Sequence, residues 1–251
     1  MKRFSSPVIK ELKYYVYMYS HPITDEVFYV GKGKGERIFQ HLDEVGECQK
    51  VAYLNELKSQ GLQPKLEILI HGLDDELTAL RVESSIIDLI GIKNLTNKQS
   101  GYKSATFGRM SLKQIVALYD KKKVTVDEPA IFIRINQLFR YSMSEMELYE
   151  YTRGKWKLDP TRASKAKYAL AVFEGIIQEV YEIHHWYKAG TTFGLRLEKE
   201  QAESDETEQW EGRYEFIGNL APPEIRNKYK FMSVEHYFQR GNANPIMYQN
   251  V

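Results

Sequence analysis

The N-terminal part of the chain alternates between short aromatic or β-branched runs and longer segments whose apolar residues recur at helical spacing. The run 13–19 carries tyrosines at every second position, which is typical of a half-buried strand, and a turn then leads into the apolar run 27–30. These two runs predict a β-hairpin, and the run 65–70 predicts a third strand. The sequence Gly-Lys-Gly-Lys-Gly at 31–35 is expected to end the second strand.

Helices are predicted between and after these strands. One begins near Glu36, a second covers about 49–57, and a third covers about 76–90. Asp74 and Asp75 precede the third helix and suit an N-terminal cap. The order of elements predicts an α+β fold that opens with a small α/β sandwich, in which helices flank a short mixed sheet.

The pattern changes after about residue 100, where a polar segment precedes a short helix from Ser111 to Tyr119. We expect a first domain over 1–105, a helical linker over 106–123 and a mostly β domain over 124–251. Further strands are predicted at 130–136, 168–183 (a hairpin), 213–217 and 245–251, and further helices at 144–151 and 224–229. The glutamate-rich stretch 198–211 is expected to be a loop.

Composition narrows the class of protein. A length of 251 residues allows two ordinary domains, and the apolar content is sufficient for a sizeable core. Neither a membrane-spanning apolar run nor a secretory signal is recognisable, and Cys48 is the only cysteine, so we expect a cytoplasmic protein that does not bind membranes. The net charge of +1 requires any nucleic-acid-binding cations to be gathered locally.

Several polar residues stand where their chemistry is unusual. Arg37 and His41 are four residues apart on a predicted helix and therefore share a face. Glu83 lies within a largely apolar helix, where an unpaired charge is costly and a bound divalent cation would offset the cost. An ion pair with Arg81 is the structural alternative for Glu83. The glycines of 31–35 fit neither the dinucleotide fingerprint nor a P-loop.

These residues together resemble the GIY-YIG nuclease family. Its two opening motifs stand here as Tyr15-Val16-Tyr17 and Tyr29-Val30-Gly31. The run Phe28–Leu42, FYVGKGKGERIFQHL, resembles the subgroup of animal nucleases that also carry ankyrin and LEM modules, and their bacterial relatives. The downstream match consists of Glu83, Ile87-Asp88, Gly91 and Leu95-Thr96-Asn97, and the resemblance covers about residues 12–105.

The resemblance implies a Mg²⁺-dependent endonuclease, with Mn²⁺ as a possible substitute, that acts on DNA in repair or defence. Arg37 is then expected to hold phosphoryl oxygens, Glu83 to bind the metal, and Tyr29 to activate or position the attacking water. The remaining site residues implied by the family are Tyr17, His41 and Asn97, with Asn94 as the rival asparagine, and Lys32 and Lys34 as candidates for phosphate contacts.

The second half resembles the PUA-like class, a barrel architecture that includes readers of RNA and of modified DNA bases. Candidates for a base pocket there are Arg153, Trp156, Trp186, Tyr187 and Arg240, although both tryptophans also suit a core. The expected partner is DNA, branched or modified, and RNA is an alternative substrate. A non-catalytic nucleic-acid-binding protein on a nuclease-like scaffold is the alternative function, and the sequence leaves the oligomeric state open.

Overall fold

The structure is a computed structural model that describes residues 3–42, 44, 46, 48–98, 101–194, 210–239, 241 and 243–251. The chain divides into two compact units, Met1–Arg109 and Met110–Val251. The stretch expected to be an acidic loop lies outside the described residues up to position 209. Within the part of the chain that is described, no helix combines the length and apolar character needed to cross a membrane.

The first unit is built on a three-stranded sheet. Its strands are β1 (Tyr14–Ser20), β2 (Val27–Lys34) and β3 (Lys65–Leu73), in the order β2-β1-β3. The prediction of a mixed sheet was wrong, because β1 pairs antiparallel with both neighbours. The hairpin turn reverses β2 relative to β1, and β3 returns on the other side of β1 in the same direction as β2.

Helices cover both faces of this sheet. They are α1 (Ser6–Leu12), α2 (Arg37–Gln40), α3 (Gln49–Ser59), α4 (Glu76–Ile90) and α5 (Ser104–Phe107), with a 3₁₀ turn at Ile92–Asn94. On one face of β1 the three tyrosines pack with residues of α2 and α3, and on the other face Val16 packs with α4. The predicted third helix is confirmed, and the Asp75 side chain accepts a hydrogen bond from the Thr78 N–H at 2.8 Å.

Strand β2 continues through the glycine-rich segment, so the prediction that 31–35 ends the strand was wrong. Gly31 lies opposite Tyr17 and Gly33 lies opposite Tyr15 in the register of β1 and β2. A Cβ on Gly31 would lie 2.8 Å from the Tyr17 Oη, and a Cβ on Gly33 would lie 2.8 Å from the Tyr15 ring. The two glycines are therefore strand residues that leave room for tyrosine rings, which is a packing role rather than a loop role.

The second unit contains a six-stranded sheet in the order β5-β8-β7-β6-β4-β9. The strands are β4 (Ala130–Arg134), β5 (Trp156–Lys157), β6 (Tyr168–Phe173), β7 (Ile176–Lys188), β8 (Arg213–Leu220) and β9 (Ile246–Gln249). The helices are α6 (Leu112–Asp120), α7 (Glu145–Arg153), α8 (Pro160–Ala163) and α9 (Pro223–Tyr229), with a 3₁₀ turn at Glu235–Tyr237. Helix α6, expected in a linker, groups with this unit.

The six-stranded sheet curls until its two edges nearly meet. Neighbouring strands are antiparallel except for the parallel pair of β4 and β6. Tyr248 on one edge strand accepts a hydrogen bond from the N–H of Asp159, just beyond the other edge strand, at 2.9 Å. The curled sheet encloses an apolar core that includes Phe132, Leu170 and Ile177. The second unit is thus mostly β, as predicted.

Candidate active site

A cleft of about 530 Å³ opens in the first unit beside β2. Its walls come from β2, α2, α3, α4 and the segment that follows α4, so residues distant in sequence face one space. The site residues that the sequence suggested and that line this cleft are Tyr29, Arg37, His41, Glu83 and Asn97. Tyr17 does not line the cleft, but its hydroxyl is hydrogen-bonded to His41.

Tyr17, Tyr29 and His41 form a hydrogen-bonded group in which Tyr17 and His41 are buried and Tyr29 is half-buried. The Tyr17 hydroxyl lies 2.5 Å from His41 Nδ1, and the Tyr29 hydroxyl lies 3.2 Å from the same nitrogen. Burial, followed by the charges of Lys50 and Arg37, lowers the pKa of His41 to about 4, so the imidazole is neutral at neutral pH. Burial raises the pKa of Tyr17 well above its ordinary value. Tyr17 therefore keeps its proton and can donate it to Nδ1, an arrangement that puts the imidazole proton on Nε2.

Tyr29 stands at the wall of the cleft among several charges. Burial and the negative charge of Glu83 raise the pKa of Tyr29 to about 12, against the opposing influence of Arg37. Lys50 Nζ lies over the Tyr29 ring, 4.7 Å from its centroid. At neutral pH the phenol is thus protonated and can hydrogen-bond a water or a phosphate oxygen in the cleft.

The free edge of β2 is closed by side chains instead of a strand. Asn97 accepts a hydrogen bond from the Val30 N–H at 3.1 Å and donates one to the Val30 carbonyl at 2.7 Å. The Lys32 N–H donates to Glu83 Oε1 at 2.9 Å. Asn94 donates instead to the Ile90 carbonyl at the end of α4. Of the two asparagines that the sequence left open, Asn97 is therefore the one in the cleft.

Glu83 has the character of a cation ligand. Burial raises the pKa of its carboxyl, against the Lys32 N–H and the Lys32 charge, so ionisation is costly unless a cation is close. In the hydrogen bonds of the described residues only one of its oxygens has a partner, and no ion pair joins it to Arg81. No group of three or more metal-ligating side chains occurs among the residues that the structure describes. A single carboxylate in a wet cleft fits Mg²⁺, which keeps most of its water.

Arg37 begins α2 and turns its side chain to the cleft. Among the described residues, its guanidinium has no hydrogen-bond or ion-pair partner, so its five donors are available to an anion. Lys32 and Lys34 do not line the cleft. Lys32 pairs with Glu76, and Lys34 Nζ lies 4.9 Å from the centroid of the Tyr14 ring.

The candidates in the second unit have their donors occupied within the fold. The guanidinium of Arg153, which is 5% exposed, donates to the carbonyls of Phe216 and Phe193 and to the Thr192 hydroxyl. Trp156 donates to the Thr152 carbonyl at 2.8 Å. Trp186 is buried and donates to a carbonyl of α8, while Tyr187 is partly exposed. Arg240 lies outside the described residues.

Sequence reasoning missed other residues that line the cleft, namely Glu44, Lys50, Lys98 and Tyr102. Lys50 carried a readable signal, because it shares the buried face of α3 with Leu54 and Leu57 at helical spacing. A lysine on an apolar face needs an anion or a functional reason. Glu44, Lys98 and Tyr102 lie outside helices and strands, where no local sequence pattern predicts which residues they contact.

Comparison with known proteins supports the resemblance that the sequence indicated. The family model of the LEM-3-like GIY-YIG domain matches residues 17–118. The ankyrin repeat and LEM domain-containing protein 1 homolog of Caenorhabditis elegans is 35% identical over 86 residues, which are 30% of this chain and 12% of that protein. The chain therefore spans about an eighth of the length of this curated relative. No solved structure matches the chain. The domain that contains the cleft belongs to the GIY-YIG nuclease family, in its LEM-3-like branch.

Proposed function

We propose that the first unit is a divalent-metal-dependent endonuclease that hydrolyses phosphodiester bonds in DNA, with Mg²⁺ as its ion and Mn²⁺ as a substitute. The observation that carries the proposal is a single cleft, within a GIY-YIG domain, lined by an unpaired guanidinium, a half-paired carboxylate and a half-buried phenol. These are Arg37, Glu83 and Tyr29. Phosphodiester hydrolysis needs such a combination, because negative charge develops on several oxygens at once.

The side chains divide the work by their chemistry. Arg37 binds the phosphoryl oxygens with a planar, permanently charged fork. Tyr29 positions the attacking water through its hydroxyl, and the hydrogen bonds with Tyr17 and His41 hold that hydroxyl in place and offer a path for a proton. Glu83 would hold the cation, which when bound supplies Lewis-acid stabilisation of the leaving 3′ oxygen. Asn97 fixes the strand that carries Tyr29.

The local charge of the cleft matters for DNA binding, because the net charge of the whole chain is close to zero. The net charge of +1 is too small for strong non-specific DNA binding. In the cleft, however, Arg37, Lys50 and Lys98 gather beside Glu44 and Glu83. A divalent cation at Glu83 makes this surface distinctly positive, so substrate binding is expected to depend on the metal as well as on the protein's own cations.

We further propose that the second unit selects the substrate and is a PUA-like reader of modified or branched DNA. Its curled, mostly antiparallel sheet supports this assignment. Arg153 and Trp156 contribute by holding loops and helices in position, since their donors are used within the unit. Base recognition then falls to more exposed residues of the same sheet, such as Tyr187.

A cleavage panel tests the nuclease. The full chain is incubated with supercoiled plasmid, four-way junction, flap, modified-base and RNA substrates, in Mg²⁺, Mn²⁺ or EDTA. We expect nicking of DNA that requires the metal, and loss of at least about 100-fold in rate for Arg37→Ala. Arg81→Ala, which removes an exposed arginine of α4, is the matched control and should retain activity. Absence of cleavage on every substrate would contradict the enzyme, and a preference for RNA would redirect the substrate.

A further inference from the structure

Lys50 is a buried cation in the wall of the cleft. It stands in the first turn of α3 and is 6% exposed. Its Nζ lies 4.7 Å from the centroid of the Tyr29 ring, and its side chain lines the same space as Arg37 and Glu83. A lysine this deeply buried requires an anion, because the desolvation of an unpaired ammonium group is expensive.

In this structure the anion is Glu44. Its carboxylate forms an ion pair with Lys50, and no other hydrogen-bond or ion-pair partner of Lys50 occurs among the described residues. Glu44 Oε1 also lies 3.8 Å from His41 Nε2, a buried nitrogen for which the described residues offer no hydrogen-bond partner. The hydrogen bond from Lys50, and less strongly the charges of Lys50 and Arg37, hold the pKa of Glu44 below its ordinary range. One carboxylate thus occupies a position that several positive or donor groups surround.

The two members of the pair differ in how easily each can leave. Glu44 is 41% exposed at the side chain, so it can turn into water at little cost once Lys50 has another partner. Lys50 is held in the wall of the cleft by its helix and by the Tyr29 ring, so its ammonium group cannot move into water as Glu44 can. An incoming anion of matching size can therefore replace Glu44, whereas nothing comparable can replace Lys50.

We propose that Lys50 is a phosphate ligand of the cleft and that Glu44 fills its anion position until a phosphate of the nucleic acid displaces it. This inference rests on the proposed nuclease function. It adds Lys50 to Arg37 as a protein cation that contacts phosphate, and it gives His41 Nε2 an oxygen to which it can donate when the phosphate is bound. The bound phosphate then lies beside the phenol that positions the water.

A purely structural ion pair gives the opposite prediction for Glu44. If the pair serves only to hold α3, then Glu44→Gln should weaken both stability and DNA binding. If Glu44 competes with phosphate, then Glu44→Gln should lower stability slightly and tighten DNA binding. The sign of the change in affinity therefore separates the two explanations, and this variant leaves Lys50 in place.

The experiment measures the Kd of the full chain for a duplex oligonucleotide in EDTA at several salt concentrations, and KM and kcat for cleavage in Mg²⁺. For Lys50→Met we expect binding about tenfold weaker, a higher KM, and a slope of log K against log salt that is smaller by about 0.9. Lys50→Arg should recover most of the affinity and the slope. Glu44→Gln should bind roughly three- to tenfold more tightly. Lys58→Met, at an exposed position of the same helix, should change none of these quantities.

Two results would overturn the inference: a salt slope for Lys50→Met equal to that of Lys58→Met, or weaker binding by Glu44→Gln. If Lys50→Met fails to fold, judged by its thermal transition, Lys50→Arg and Glu44→Gln decide the question alone. A wild-type chain that cleaves DNA while Lys50 variants bind normally contradicts only the role of Lys50. A wild-type chain that neither binds nor cleaves nucleic acid contradicts the proposed function and the inference with it.

Discussion

Both units bury charged side chains, but they treat them differently. In the second unit, Glu215 accepts three hydrogen bonds through one oxygen, from the Gly190 and Thr192 N–H groups and the Thr192 hydroxyl. Glu179 binds both Arg226 and Lys230. Arg153 has all its nitrogens engaged, as described above. Arg153 and Glu179 thus belong to closed networks, in which every charged atom has a partner within the unit.

The first unit leaves the polar groups of its cleft incompletely paired, although their burial ranges from the exposed Arg37 to the buried His41. Glu83 uses one oxygen, His41 has an unpaired nitrogen, and Arg37 has no partner within the part of the chain that the structure describes. All three face one cleft. Burial of charge alone therefore does not mark a functional site. A functional site is better indicated by a polar group that faces an open cleft and lacks a hydrogen-bond partner for at least one of its atoms.

The largest expected effect tests the Glu83 oxygen that has no hydrogen-bond partner among the described residues. Glu83→Gln keeps the shape of the side chain and an oxygen for the Lys32 N–H, but removes the charge that a cation needs. We expect cleavage in Mg²⁺ to fall about 1000-fold or more, since a metal contributes several kcal/mol to the transition state. Stability should stay equal or rise, because the variant no longer buries a carboxylate, and differential scanning calorimetry measures this. A Glu83→Gln protein that cleaves normally would remove Glu83 from the site.

The next effect tests a closed network in the second unit. Glu179, which is 2% exposed, loses its charge in Glu179→Gln and leaves Arg226 and Lys230 without their anion. We expect the free energy of unfolding to fall by about 3 kcal/mol. Urea denaturation followed by tryptophan fluorescence reports on this unit, because Trp156, Trp186 and Trp210 all lie in it. Cleavage per folded molecule should not change, and a selective loss of cleavage would erase the contrast between the units.

A smaller effect sharpens the account of the glycine-rich strand. In Gly31→Ala the new Cβ would meet the Tyr17 hydroxyl, so the Tyr17–His41 contact must shift. We expect a loss of roughly 2 to 3 kcal/mol in stability and of about tenfold in cleavage rate. Gly35→Ala is the control, since its Cβ meets nothing within 4 Å and the substitution costs only about 1 kcal/mol through its positive φ of 59°. Equal activity of the two variants would contradict the packing role of Gly31.

Local features of the fold were readable from the sequence. The cap at Asp75, the length of α4 and the hairpin of β6 and β7 depend on neighbouring residues, and the structure has each of them. The strand at 31–34 was not readable, because glycine indicates a loop unless the register is known. That register, in which Gly31 meets Tyr17, arises from pairing with another strand.

The candidate site was readable in part for the same reason. Glu83 stood out because its residue type is unusual on an apolar helix, and the structure brings it to the cleft with Arg37. From its neighbours in sequence, Arg153 was also a candidate for base recognition. The three oxygens that occupy it come from positions about 40 to 60 residues away, so only the tertiary fold reveals that its donors are used. Sequence identifies which groups carry chemistry, and the fold decides which of them remain free to use it.

The smallest effect concerns the unpaired nitrogen of His41 and depends on pH. The pKa of His41 is lowered to about 4 in the folded chain from an ordinary value of 6.5, so the unfolded chain binds the proton first as pH falls. Stability should therefore be full above pH 6.5 and decline between pH 6.5 and 4, with a loss of about 2 kcal/mol between pH 7.5 and 5. In His41→Gln this part of the pH dependence should vanish. Urea titrations read by hydrogen-exchange mass spectrometry on peptides from β1 restrict the measurement to the first unit. Parallel pH profiles for the two proteins would mean that His41 titrates normally, and that its nitrogen is better satisfied than the comparison of the two units requires.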